Sequence, residues 1–168
     1  MIAEMVSGMM VRDLRALKRE LDAFHDERHI WRTAPGITNS AGTLALHMAG
    51  NLQHFIGAQI GGSSYVRDRD AEFGKRDVSR ADLHKEIDAA IAAVEKGLKK
   101  LSDKDAAKPF PIPVGGSTVP TGEFMMHLAA HLTYHLGQLD YLRRFNTGEV
   151  GKIGAMSPAE LPGAKKAS

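Results

Sequence analysis

The chain has 168 residues, 43% of them hydrophobic and 25% charged, with a formal net charge of +2. That length suffices for one domain with a sizeable core. The 22 basic and 20 acidic residues are interspersed and aromatics make up only 6%, which argues against a nucleic-acid footprint or a single-strand stacking platform. The absence of cysteine removes disulfides, thiolate metal sites and a cysteine nucleophile, and fits a reducing compartment. The N-terminus lacks the basic region of a signal peptide, and no apolar run approaches the ~18 residues of a membrane span. The expectation is a cytoplasmic protein with neither nucleic acid nor membrane as partner.

Four amphipathic segments follow in chain order. In the first, Met10, Leu14, Leu17, Leu21 and Phe24 recur at helical spacing between charged residues. Its N-terminal turn gathers Ile2, Met5, Val6, Met9 and Met10, a patch that either packs over one end of the bundle or buries against a second copy; a homodimer is expected. At its polar end "HDERH" (25–29) resembles the protease pattern His-Glu-x-x-His, but Asp26 replaces the glutamate, and a solvated helix end is the better reading.

The second segment runs from Asn39 or Ser40, either a candidate N-cap, to the Gly61-Gly62 pair. The third opens on Ser79 with Asp82 three residues on, and Leu83, Ile87, Ile91, Val94, Leu98 and Leu101 form its stripe. The fourth begins near Thr118 to Thr121 beside Pro120 and ends near Gly148. Together they predict an all-α four-helix bundle over residues 1–148, followed by an irregular Gly-, Pro- and Ala-rich tail over 149–168. The connections "GGSSYVRDRDAEFGKRD" and "SDKDAAKPFPIPVGGS" are long, which allows crossovers and suits functional loops. "PFPIPVGGSTV" reads as a small two-stranded ribbon turning at Gly115-Gly116.

Within the fourth segment, "HLAAHLTYHLGQ" (127–138) carries histidines at 127, 131 and 135. At about 100° per residue His127, His131, His135 and Gln138 share one sector with Phe124, Leu128, Leu142 and Phe145, the stripe that should face the core. Tyr134 and Tyr141 fall outside it and read as packing residues. A buried imidazole needs a hydrogen bond or a metal at its nitrogens, and two at i and i+4 can grip one ion. A third ligand is available from the second segment, "LALHMAGNLQHFIG", where His47, Asn51 and His54 share a sector beside the apolar stripe. Three neutral histidines with an open fourth position is the catalytic arrangement for zinc. The rival di-iron bundle needs Glu-x-x-His motifs, and the chain contains none.

"HLTYHLGQL" and "TLALHMAGNLQHFIG" resemble the signature segments of the DinB-like (YfiT-like) superfamily of metal-dependent four-helix proteins, and "GNLQHFIGAQIGGSSYVRDRDAEF" resembles a largely uncharacterised branch of it. The resemblance extends from the first helix to about Phe145. It implies that His47, His131 and His135 are the metal ligands, with His54 and His127 as extra histidines outside the first coordination sphere. Characterised relatives join low-molecular-weight thiols to electrophiles or isomerise with a thiol's help. The resemblance therefore implies one divalent ion, zinc or nickel, a thiol cosubstrate and a small electrophilic substrate, with water as the alternative nucleophile. The competing expectation is a non-catalytic metal-binding or stress-response bundle.

Two further sets of residues border this chemistry. Gln138 is placed to orient a metal-bound water or to fix a ligand imidazole. "YVRDRDAEF" carries Arg67, Asp68, Arg69, Asp70 and Glu72; it reads as a solvated loop with local ion pairs, or else Arg67 or Arg69 anchors a substrate carboxylate.

Overall fold

A computed structural model describes residues 2–99, 101–151, 153 and 157–166. Of the tail 149–168, positions 152, 154–156, 167 and 168 lie outside the described residues. Four long helices dominate: α1 (Ile2–Asp22), α2 (Ala41–Leu52), α4 (Arg80–Leu98) and α6 (Thr121–Thr147). Two short helices, α3 (Arg69–Gly74) and α5 (Asp103–Ala106), lie in the two long connections. Both are nucleated by side-chain caps: Asp68 accepts from the Ala71 amide, and Ser102 and Asp105 form a capping box. No strand occurs among the described residues, and no helix there is long and apolar enough to cross a membrane.

Local chemistry sets the helix ends. Ser40, rather than Asn39, caps α2 by accepting from Thr43 N at 3.1 Å. A π-helical turn, Gln53–Ala58, prolongs α2, and the chain then turns through Gly62 at φ +68°. Ser79 caps α4 through the Asp82 amide. Gly148, at φ +71°, ends α6 in the left-handed conformation that glycine adopts without strain.

α1 and α2 each pack against both α4 and α6. The sequential neighbours α1 and α2 are thus diagonal across the bundle, which is why long connections are needed. The core joins Met10, Leu14, Leu17 and Leu21 of α1 to Leu44, Met48 and Leu52 of α2, with Leu83, Ile87 and Val94 of α4 and Leu128, Leu132 and Leu139 of α6. α2 is buried on every side, because α3 covers the face that the other long helices leave open. An ion pair is sealed inside: Arg143 Nε donates to Glu20 Oε2 at 2.5 Å, both side chains fully buried. Burial pushes the Glu20 carboxyl up despite Arg143.

Several expectations are corrected by packing. Phe145 is 69% exposed, and Tyr134 and Tyr141 are 64% and 78% exposed, so none belongs to the core. The N-terminal patch is divided, with Val6 and Met10 buried and Ile2, Met5 and Met9 partly open. Of "HDERH", Glu27, Arg28 and His29 open a 3-10 turn, Glu27–Trp31, capped by Asp26, instead of ending α1. The expected ribbon is reduced to two isolated bridges, Pro109–Pro120 and Val114–Ser117. Pro111 and Pro113 have no N–H to extend a ladder, while Gly115 and Gly116 supply the positive φ angles of its turn.

Close approach of α2's extension to α4 depends on glycine. A Cβ at Gly97 would stand 2.8 Å from both the Ile56 carbonyl oxygen and Ile56 Cγ2. Gly97→Val is expected to cost about 1–3 kcal/mol through overpacking, read as a lower urea midpoint at unchanged slope.

Candidate metal centre

His47 projects from buried α2, while His131 and His135 project one turn apart from α6. Their ring nitrogens converge: His131 Nε2 lies 3.4 Å from His47 Nε2 and 3.0 Å from His135 Nε2. One ligand atom from each falls within 4.8 Å of the others. Neither His127 nor His54 joins this group; the His127 ring stacks beside His131 at 6.1 Å, and His54 packs on Phe55.

The opposite nitrogens decide which tautomers are present. His47 Nδ1 lies 3.0 Å from Glu72 Oε2. A carboxylate only accepts, so Nδ1 carries the proton and Nε2 is left with a lone pair. His135 Nδ1 donates in the same way to Gln138 Oε1 at 2.7 Å. Two lone pairs therefore flank His131 Nε2, and an N–H on that atom could satisfy only one of them.

Protonating either α6 histidine of the cluster is unfavourable. Burial, reinforced by repulsion from His135, His47 and His127, pushes His131 down to about 4. Burial also lowers His135, against the effect of its bond to Gln138. Lone pairs converging in this way fit a divalent cation. Donors bound at 2.0–2.1 Å in a tetrahedral arrangement stand about 3.3 Å apart, close to the two spacings found here.

Glu72, in a segment that reads as a solvated loop, is instead buried against His47. It sits on α3, 5% exposed, and its approach to α2 requires Gly50, where a Cβ would overlap the carboxylate. Arg67 grips it bidentately, Nε to Oε1 at 2.6 Å and an Nη to Oε2 at 2.8 Å. Burial alone would raise the Glu72 carboxyl, but hydrogen bonds from Arg67 and His47 and their charges outweigh it and hold it below its usual range. The Asp68 cap, which sets Arg67 and Glu72 five residues apart around one turn, was the available sequence signal.

Arg67 is committed to Glu72, with its guanidinium 5.6 Å over the Phe55 ring, and Arg69 lies over Phe73 at 5.0 Å. Gln138 fixes a histidine, one of its two expected roles. Beside His131 opens a cavity of about 730 Å³, walled by Phe55, Phe124, Leu128, His127 and the 112–119 turn. Asn51 and His54 also face it, and Asn51 Oδ1 and His54 Nδ1 are buried without a hydrogen-bond partner among the described residues.

Two outcomes follow from the Glu72 link. Glu72→Ala is expected to weaken metal affinity by roughly 10–100-fold, by freeing the His47 ring, measured by competition with a chromophoric chelator. Because the folded carboxyl lies below its ordinary 4.5, its contribution to stability is complete above that pH and is lost as pH falls through the folded value. Glu72→Gln should flatten that acid limb in denaturation curves measured between neutral pH and pH 3.

No curated protein and no solved structure matches the chain. The family described as "Protein of unknown function (DUF1572)" matches residues 4–153, most of the chain and every helix of the bundle. The chain is a member of the DUF1572 family.

Proposed function

We propose that this protein is a metal-dependent enzyme of the DinB-like type, in which His47, His131 and His135 hold one divalent ion, zinc or nickel, for transfer of a low-molecular-weight thiol, or of water, to a small electrophile. The observation that carries the reading is the convergence of three histidine Nε2 atoms, two of which, on His47 and His135, are left with lone pairs because Glu72 and Gln138 hold the ring proton on Nδ1. The sequence resemblance of the two histidine segments to DinB-like proteins supports it independently.

When bound, a divalent ion held by three neutral imidazoles keeps most of its charge and favours the anionic form of a thiol or water near neutral pH. The chain's residues supply the rest. Glu72 and Gln138 hold two rings in the ligating tautomer, so no proton has to leave them. Arg67 keeps Glu72 ionised and in place. The apolar faces of Phe55, Phe124 and Leu128 restrict water beside His131 and leave room for a small-molecule substrate. An absence of cysteine is no obstacle, since the thiol arrives as cosubstrate.

His131→Ala is expected to remove most of the metal from protein purified without a polyhistidine tag, measured by elemental analysis. The same variant should abolish turnover in a thiol-transfer screen against small electrophiles. Full metal retention by His131→Ala would contradict the ligand assignment. Stoichiometric metal without turnover for any thiol or water acceptor would favour a non-catalytic metal-binding bundle.

A further inference from the structure

The cavity beside His131 carries a second tier of polar side chains that the metal chemistry does not use. Asn51 follows His47 by one turn on α2, and His127 precedes His131 by one turn on α6. The rings of Phe55 and Phe124 meet at 5.0 Å, so the two helices run antiparallel here. Both steps therefore lead the same way, from the histidine cluster into the cavity, where His54 joins them. The tiers are one turn apart, with 6.1 Å between the rings of His127 and His131.

Asn51 is the least expected member of this tier. Asparagine is a weak helix former, yet here it is 7% exposed on a helix buried along its whole length. Its Oδ1 is buried with no hydrogen-bond partner among the described residues. A polar atom left in that condition costs stability, and such violations gather at functional sites. His54 Nδ1 is in the same condition. That residue lies in the π-helical turn Gln53–Ala58, a rare backbone form that recurs at sites of function.

The two unpartnered atoms specify a ligand. Asn51 Oδ1 only accepts, so it requires an N–H or O–H. Burial, reinforced by repulsion from Arg67, lowers the His54 pKa and keeps its ring neutral, so Nδ1 can donate to a carbonyl. A carboxylate brings no donor, and the cavity holds no cation for it: no lysine or arginine is among the described residues lining it, and Glu123 there repels anions. Arg67, over the Phe55 ring, is paired with Glu72. An ammonium group donates but cannot accept. A trans amide does both, with its N–H and C=O directed to opposite sides. Residues three apart on a helix stand about 5–6 Å apart at Cβ, which suits the two ends of one amide.

We propose that Asn51 and His54 form a subsite for an uncharged secondary amide, its N–H donated to Asn51 Oδ1 and its carbonyl accepting from His54 Nδ1. On the reading of the three histidines as the reacting centre, the small-molecule substrate carries this amide about one helical turn from its reacting atom. The subsite itself stands without that reading.

The probe is N-propylacetamide, titrated into the metal-free full chain and followed by ¹H–¹⁵N spectra. Saturable shifts of the Asn51 side-chain amide and the His54 ring are expected. Butyl methyl ketone accepts but cannot donate, while pentanoate and hexylamine are charged analogues of similar size. Each should bind roughly 5–10-fold more weakly than the amide. Asn51→Leu should weaken amide binding by a similar factor and, by removing a buried unpartnered atom, raise the urea midpoint. No metal and no turnover enter these measurements, so zinc uptake by the same protein tests the metal reading separately. The ligand comparison needs no variant and decides by itself: no saturable shift, or equal binding of the ketone or of either charged analogue, would overturn the proposal. So would amide affinity unchanged in Asn51→Leu, or a midpoint that falls in that variant, which would assign Asn51 to the framework of the fold.

Discussion

A buried carboxylate on a six-residue helix organises the centre. Glu72 lies between a guanidinium and an imidazole, fastening α3 to α2 and fixing the proton of His47 on the nitrogen that faces away from the cluster. A charged group at 5% exposure is costly to desolvate unless its lone pairs are filled. Here Arg67 and His47 fill them, and Gly50 makes the space. If the carboxylate left, His47 could adopt the other tautomer, and an N–H would then point into the cluster.

The bundle supplies what the carboxylate cannot. Histidines one turn apart on α6 share a rigid backbone, so the His131–His135 spacing is set by helical geometry. The third histidine comes from a helix packed across the core from them, and its position is as firm as that core. The two halves are supported alike: Glu72 stands behind His47 and Gln138 behind His135, each bonded to the ring nitrogen that faces away from the cluster. The cavity opens beside His131, the histidine with neighbours on both sides, so whatever enters it meets the cluster through that ring and the aromatic walls.

Much of this was legible in the sequence, for identifiable reasons. Helical periodicity and the caps Ser40, Ser79 and Gly148 mark the four long helices because they act within a few residues. The histidine ladder was visible because polar residues on an apolar stripe need partners. Contacts made by short elements were less accessible. α3 and α5 have too few residues for periodicity, and only their caps announce them. The buried status of Glu72 depends on Gly50, twenty-two positions earlier and on another helix. The error over Phe145 has a different cause: a wheel ranks directions on one helix, but which sectors are covered depends on where neighbouring helices end. Past residue 141 the core sector of α6 has narrowed to Leu142 and Arg143, leaving Phe145 in the open.

The central claim is that three neutral imidazoles, with Nε2 directed inward, form one cation site. Long-range ¹H–¹⁵N correlation spectra of the ring nitrogens test it most directly, because each tautomer has its own pattern. The account predicts Nδ1-protonated rings for His47 and His135 in the metal-free protein, and a shift of Nε2 in His47, His131 and His135 together, complete at one equivalent of zinc. Nε2-protonated rings for His47 and His135, or no change in the three rings on adding zinc, would contradict it.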